Sequence, residues 1–317
     1  MTRWGVVSTI KAPLPEIARF AAWHLEAGAS ALHLYLDEDD PEALDGLNAH
    51  PAITARHTDA AWWEKRKGRP EMHQNRQAAN ARHANNTVRG LDWLAHIDVD
   101  EFLIAETPVA GQLAALPDTA LCARVRPIEA LAPGAGDRPG TRSFKAFHLA
   151  QTARREAATR VFGPWAQHLS GGFLSHVAGK LFFRPGTKGQ QVKIHNVILD
   201  GQQNPGEVAL PETTLAHFHA ADPEHFLAAF RYRMSKGSYR SELKPQVRQE
   251  GALSLFDLFR AIEAEGGEDA LRTFFDEVAT ATPDLTRALE REGLLRRLPF
   301  DPDPFVAAHL PHLAQSL

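Results

Sequence analysis

Two carboxylates two residues apart, Asp98 and Asp100, follow an apolar run in Leu91-Asp92-Trp93-Leu94-Ala95-His96-Ile97-Asp98-Val99-Asp100-Glu101-Phe102-Leu103. On a strand turning into a loop, such a pair reaches a hard cation directly or through water, and Mg²⁺ or Mn²⁺ held this way can bridge diphosphate oxygens. The ion then neutralises charge on a departing nucleoside diphosphate. A bare Asp-x-Asp also occurs in loops and as a helix cap. The apolar strand before this one and the Phe102-Leu103 anchor after it favour the metal reading over a structural acidic turn. Glu101, backed by those apolar residues, is expected to sit in the protein body and support the pair.

Other side chains are candidates for the same chemistry. His217, in Leu215-Ala216-His217-Phe218-His219, lies just before a helix start at Asp222-Pro223, and a neutral imidazole is a competent ligand for Mn²⁺-like ions. If that segment is extended, His219 points the opposite way and is structural. His195, in Lys193-Ile194-His195-Asn196, has a similar claim. Lys180 and Arg184 follow the Gly171-Gly172 turn and either touch phosphate as cations or are ordinary surface charge. Transfer to a hydroxyl needs a general base, for which Glu129 leads and Asp137 follows. Trp62-Trp63, before Glu64-Lys65-Arg66-Lys67, either stacks on a sugar or base or anchors its own loop. No Gly-x-x-x-x-Gly-Lys-Ser/Thr or Gly-x-Gly-x-x-Gly signature supports an ATP or NAD site, and no Cys-x-x-Cys supports zinc.

The elements that must position these residues alternate between strand and helix in the first third of the chain, which predicts βαβ units and a largely parallel sheet. Strands are expected at Trp4–Thr9, Ala31–Leu36, Ala52–Arg56, Trp93–Ile97 and Leu121–Val125. Pro13 and Pro15 start a helix that Gly28 closes, with Ile17, Phe20, Ala21, His24 and Leu25 at helical spacing. Glu71–Arg89 reads as a helix whose polar face carries His73, Arg76, Gln77, Asn80 and His83, facing either a ligand or solvent. In an open parallel sheet, ligands bind beyond the carboxyl ends of the strands, where Asp98 and Asp100 stand. Gly- and Pro-rich turns follow Arg126, and helices are expected at Pro223–Lys236, Ser254–Glu265, Asp269–Ala279 and Leu285–Arg297.

Composition narrows the class. The 317 residues are 44% hydrophobic, enough for a substantial core. The formal charge is −4, from 35 Lys and Arg against 39 Asp and Glu, and no broad basic face suggests nucleic acid. Cys122 is the single cysteine, so no intrachain disulfide framework exists; a buried strand residue and a reducing, cytoplasmic setting are expected. No run approaches the roughly 18 apolar residues of a membrane span, and the N-terminus lacks a signal-like apolar region.

The run Asp92–Leu103 resembles the DWL-x-x-x-D-x-DEF-L segment of the family 2-like glycosyltransferases with a GT-A fold, including the relatives of family 92. The resemblance extends to Ser8-Thr9-Ile10-Lys11, Phe20-Ala21-Ala22-Trp23-His24 with Gly28, His33-Leu34-Tyr35-Leu36-Asp37, and Arg76-Gln77 with Asn80. Downstream it takes in Ser175-His176-Val177-Ala178-Gly179-Lys180 with Arg184, then His195 and Leu215-Ala216-His217-Phe218, covering roughly residues 4 to 235. It implies a GT-A α/β fold at 1–220, with a mainly parallel central sheet and helices on both faces, and a helical extension at 221–317. It implies a nucleotide-sugar donor, with UDP the default nucleotide, and a glycan or other hydroxyl acceptor. Asp98 and Asp100 would hold Mn²⁺ or Mg²⁺, a late histidine such as His217 would complete the metal or diphosphate site, and Asp37 would contact the nucleotide. Lys11, Arg76 and Asn80 fall at matching places around that nucleotide. Ala12-Pro13 departs from the Asn-Glu pair usual after the basic residue, which leaves the nucleobase open. The expected reaction is inverting glycosyl transfer. The alternatives are a metal-dependent nucleotidyltransferase or phosphotransferase and a catalytically degenerate carbohydrate-binding scaffold.

Overall fold

A computed structural model describes the chain apart from residues 135–137, 221, 237–244, 248–249 and 317. Two compact units emerge, each assembled from separated stretches: Met1–Arg126, Ala178–Leu215 and Pro302–Leu317 in the first, Pro127–Val177 and Ala216–Asp301 in the second. The last stretch returns to the first unit because its side chains dock there, as shown below.

In the first unit the chain runs through β1 (Trp4–Ile10), α1 (Leu14–Glu26), β2 (Ala31–Leu36), α2 (Pro41–Asn48), β3 (Ile53–His57), α3 (Ala60–Glu64) and α4 (His73–Thr87). Then come β4 (Trp93–His96), β5 (Glu101–Ala105), α5 (Val109–Ala114) and the start of β6 (Cys122–Ala130). After β7 (Thr141–Lys145) and α6 (Gln151–Phe162) of the second unit, the first resumes with β8 (Lys180–Phe183), β9 (Gln191–Val192), β10 (Val197–Leu199), β11 (Gln202–Gln203) and most of β12 (Glu207–His217). The second unit then holds α7 (Pro223–Lys236), α8 (Leu255–Ala279), α9 (Pro283–Arg291) and β13 (Leu295–Pro299), before α10 (Asp303–His309) closes on the first.

The fold class is α/β. Strands β3, β2, β1 and β4 lie side by side and parallel, and β8 continues this part of the sheet antiparallel to β4 and to residues 122–125 of β6. All seven residues of β1 are buried, as expected for a strand covered on both faces. Val7, Tyr35, Ala81, Ala84, Leu94, Cys122 and Phe183 share one core, which sets α4 against the sheet. Cys122 is buried as its apolar run predicts, and burial pushes its thiol up to about 12. At the end of the chain, the ring of Phe305 lies 5.6 Å from that of Trp23, and Asp303 Oδ1 lies 2.6 Å from Arg19 Nε, so α10 docks on α1.

In the second unit β7 pairs antiparallel with β6 through Glu129 and Lys145, and with β13 through Leu295 and Lys145. Around Phe226 the rings of Phe230, Phe259, Phe274 and Phe275 make an aromatic core. The helices expected at 254–265 and 269–279 are the two halves of α8, interrupted at Gly266-Gly267, where Gly267 has φ 65°. Leu285–Arg297 is not one helix: α9 ends at Arg291 and Leu295–Pro299 is a strand. Among the described residues, no helix is long and apolar enough to cross a membrane.

Candidate active site

Strand order creates the crevice. From β1 the chain steps to β2 and β3 on one side, then returns to place β4 on the other, so β1 and β4 flank a topological switch point. Beyond their carboxyl ends stands the Asp98-Val99-Asp100-Glu101 turn. Glu101 N donates to Asp98 O at 3.0 Å, and Asp98 N donates to Glu101 Oε2 at 2.8 Å, so the fully buried Glu101 closes the turn from behind. This is the supporting role its apolar flank predicts.

Asp98 is not simply open to solvent. Lys180 Nζ donates to its Oδ2 at 2.7 Å, and Gln77 Nε2 donates to its Oδ1. Lys180 is itself buried and lies 3.4 Å from Glu101 Oε2. Burial alone would raise the pKa of Asp98, but the charge and hydrogen bond of Lys180 outweigh it and hold the carboxyl well below its ordinary range. Lys180 is raised above its own range, since attraction to Asp98 and Glu101 exceeds the cost of burying an ammonium. The reading of Lys180 as ordinary surface charge is thus corrected: it neutralises the acidic turn. Gly179 brings it there, at φ 72°, with a Cβ position only 2.1 Å from Val125 O, so no other residue fits. His195 Nδ1 bonds Gly179 O at 3.0 Å, behind the lysine. Arg184 is also corrected. Its guanidinium lies 4.0 Å from the Trp93 ring centroid at the opposite end of β4, roughly 16 Å from Asp98 along a strand of this rise.

A second cluster gathers at the end of β2. Asp37 Oδ2 accepts from Arg76 Nε at 2.9 Å, Arg69 lies 3.0 Å from Oδ1, and His73 3.9 Å from Oδ2. Burial would raise the Asp37 pKa, yet the bonds from His73 and Arg69 and the charge of Arg76 bring it down to about 2. The polar face of α4 is therefore not a solvated face: Arg76, Gln77 and Asn80 are all buried and reach the strand ends. Asn80 Nδ2 donates to Thr9 Oγ1 at 3.0 Å while its Oδ1 accepts from Trp62 Nε1 at 3.2 Å, which makes it a brace between β1 and α3. Lys11, on the loop after β1, pairs with Glu38 at 2.6 Å, and both side chains are about half exposed. Gln77 is the site residue that a reading by charge alone passes over, because an amide carries no charge to attract notice.

In the second unit Glu129 lies inside β6 and is 2% exposed. Its carboxylate accepts from Leu174 N at 2.9 Å, Ser175 N at 2.8 Å and Ser175 Oγ at 2.5 Å, and Lys145 Nζ lies 3.0 Å away. Burial opposes ionisation, but Lys145 and these donors keep the carboxyl below its usual range. Every oxygen is engaged, so Glu129 anchors residues 174–175 instead of accepting a proton from a hydroxyl. Asp137 lies outside the described residues. His217 ends β12, and its ring centroid is 5.9 Å from that of His176 and 5.2 Å from that of His219. The strand stops at His217 and His219 stands at a bend, so the segment is not extended through His219.

No protein-family model matches the chain, and no curated protein matches it in sequence. Among solved structures it is similar to HddC from Yersinia pseudotuberculosis, at 8% identity and a TM-score of 0.36 over 73% of this chain and 99% of that one. It is similar to GalNAc-T7 solved with UDP, GalNAc and Mn²⁺, at 11% identity and a TM-score of 0.39 over 98% of this chain and 58% of that one. The galactosyltransferase LgtC, in complex with donor and acceptor sugar analogs, is similar at 9% identity and a TM-score of 0.33 over 90% and 99%.

Proposed function

We propose that the chain is a metal-dependent glycosyltransferase of the GT-A type that moves a sugar from a nucleotide-sugar, UDP-linked by default, to a hydroxyl with inversion. The observation that carries this reading is the acidic turn Asp98–Glu101 beyond the carboxyl end of β4, at the switch point beside β1, where an open sheet receives its ligand. The Asp37 cluster at the end of β2 supports it: a buried carboxylate flanked by Arg76, Arg69 and His73 offers an acceptor and donors for a ribose or base. In this reading Asp37 and α4 hold the nucleoside, with Lys11 at the rim.

We assign the cation to the carboxylates of the acidic turn, Asp98 and Asp100, and, on the sequence resemblance alone, to His217; Mn²⁺ or Mg²⁺ is the ion. Asp98 holds the turn, through Lys180 and Gln77, so that Asp100 is presented. When bound, the ion neutralises charge on the leaving diphosphate. The test is product analysis after incubation with a panel of nucleotide-sugars, Mn²⁺ and a mixed glycan acceptor. Release of nucleoside diphosphate is the expected result. Release of pyrophosphate would make the chain a nucleotidyltransferase, and tight glycan binding without any turnover would make it a binding scaffold.

A further inference from the structure

One cluster in the first unit takes no part in the proposed transfer. Strands β2 and β3 set Tyr35 beside Arg56 and His33 beside Thr54, and His33 and Tyr35, two residues apart, share a face. Over them, α3 and the turn after it bring Trp62 and Arg66, and α4 brings His83. Tyr35 Oη is 2.7 Å from His83 Nδ1, and the Trp62 ring lies 4.7 Å from His83 and 5.6 Å from Tyr35. The guanidinium carbon of Arg66 is 3.3 Å from the Trp62 ring centroid, and that of Arg56 is 5.0 Å from it.

Two guanidinium groups are thereby held against one indole. Among the described residues, neither has a carboxylate within ion-pair distance, although elsewhere on this unit Arg19, Arg69, Arg76 and Arg124 each do. Among the described residues, Arg66 has one protein acceptor, the carbonyl of Trp62, at 2.8 Å, and the buried His33 Nε2 makes no hydrogen bond. Like charges gathered without a counterion lower the affinity of the whole group for protons: burial and then the two arginines lower His83 to about 4, and burial and Arg56 lower His33. The phenol of Tyr35 is raised to about 12 by burial, so it keeps its proton. With that proton donated to His83 Nδ1, the imidazole carries its own on Nε2 and becomes one more donor.

We infer that Arg56, Arg66 and His83 form a binding site for a phosphate group, distinct from the donor's diphosphate. Donors from two guanidinium forks and an imidazole outnumber the two oxygens of a carboxylate and suit the three free oxygens of a phosphate monoester. Trp62 supplies an apolar floor and, through its Nε1–H to Asn80 and from there to Thr9, links the site to the end of β1. The phosphate belongs either to a small soluble monoester or to the monoester headgroup of an anionic lipid, phosphatidic acid; the chemistry is shared.

The experiment titrates the full chain, in EDTA so that any cation-dependent phosphate site is silent, with inorganic phosphate and with glycerol 3-phosphate, and separately with phosphatidylcholine vesicles containing or lacking phosphatidic acid. Wild type is compared with Arg56→Gln and with Arg56→Gln/Arg66→Gln, after melting curves confirm that both fold. Saturable binding of the soluble phosphates, weakened on the order of tenfold in the single variant and abolished in the double, supports the site and names a soluble ligand. Binding confined to phosphatidic acid vesicles and lost in the double variant supports it and names a headgroup. Absence of both, or binding that the double variant retains, overturns it. Because UDP binding with Mn²⁺ is measured apart, this failure is distinguishable from failure of the donor site.

Discussion

Lys180 Nζ lies 2.7 Å from Asp98 Oδ2, with the lysine side chain 1% exposed and the aspartate side chain 27% exposed. One partner is sealed in the protein and the other is partly exposed. The lysine thus serves as a fixed internal countercharge that keeps Asp98 ionised in a half-buried turn beside Glu101.

Removing that countercharge should unfold more than it unbinds. Lys180→Met leaves Asp98 and Glu101 without their buried partner, a loss of about 3–5 kcal/mol, which should lower Tm by roughly 5–8 °C. Asp98→Asn combined with Lys180→Met should recover part of this, because the two residues are coupled. Denaturant titration of the four proteins checks it. A Lys180→Met protein of wild-type stability that binds nucleotide poorly would return the lysine to a phosphate contact.

His24 gives the fold a pH dependence of known sign. Its ring is buried, with Nδ1 2.8 Å from Phe20 O and Nε2 accepting from Leu103 N at 3.4 Å, so it ties α1 to β5 just behind the acidic turn. Burial lowers its pKa from 6.5 to about 4 against the raising effect of the Phe20 bond. The unfolded chain therefore binds more protons between these values. The stability contributed is complete above about pH 6.5 and declines as pH falls towards 4, by about 3 kcal/mol in all. Urea unfolding at pH 7.5 and pH 4.5 should show this loss in wild type and a smaller one in His24→Gln; identical slopes would remove His24 as the cause.

His217→Ala should weaken Mn²⁺ binding, on the order of 10–100-fold, because the resemblance makes its imidazole complete the cation site. Titration calorimetry with Mn²⁺ measures it. Wild-type affinity in His217→Ala would leave the cation to the carboxylates of the acidic turn.

Much of the nucleotide half is legible in the sequence because its signals are local. Ala31–Leu36 is a strand with the expected bounds, and β1, β3, β4 and α4 differ from expectation by one or two residues at their ends. The acidic turn is legible for the same reason, as an apolar run ends abruptly in Asp-x-Asp. What fails depends on distant partners. Leu295-Arg296-Arg297-Leu298 spaces its leucines three apart, which reads as helix, yet pairing with Arg142–Lys145 some 150 residues earlier makes it a strand. Glu129 looks like a base at a strand end until β6 proves to run on to Ala130, and Ser175, Leu174 and Lys145 prove to enclose it. Lys180 and Gln77 are 82 and 21 residues from Asp98, so no spacing rule reports that they meet its carboxylate.

The central claim is that the acidic turn binds a nucleoside diphosphate through a divalent cation, and Asp100 tests it most directly. Calorimetric titration of wild type and Asp100→Asn with a panel of nucleoside diphosphates, each in Mn²⁺ and in EDTA, separates cation-dependent from cation-independent binding. Asp100 is a half-buried turn residue, so the substitution should leave the melting temperature near that of wild type. The expected result is saturable binding of at least one diphosphate by wild type in Mn²⁺, lost in EDTA and lost in folded Asp100→Asn. Equal affinity in Mn²⁺ and EDTA, or no binding of any nucleoside diphosphate by wild type, would contradict the account.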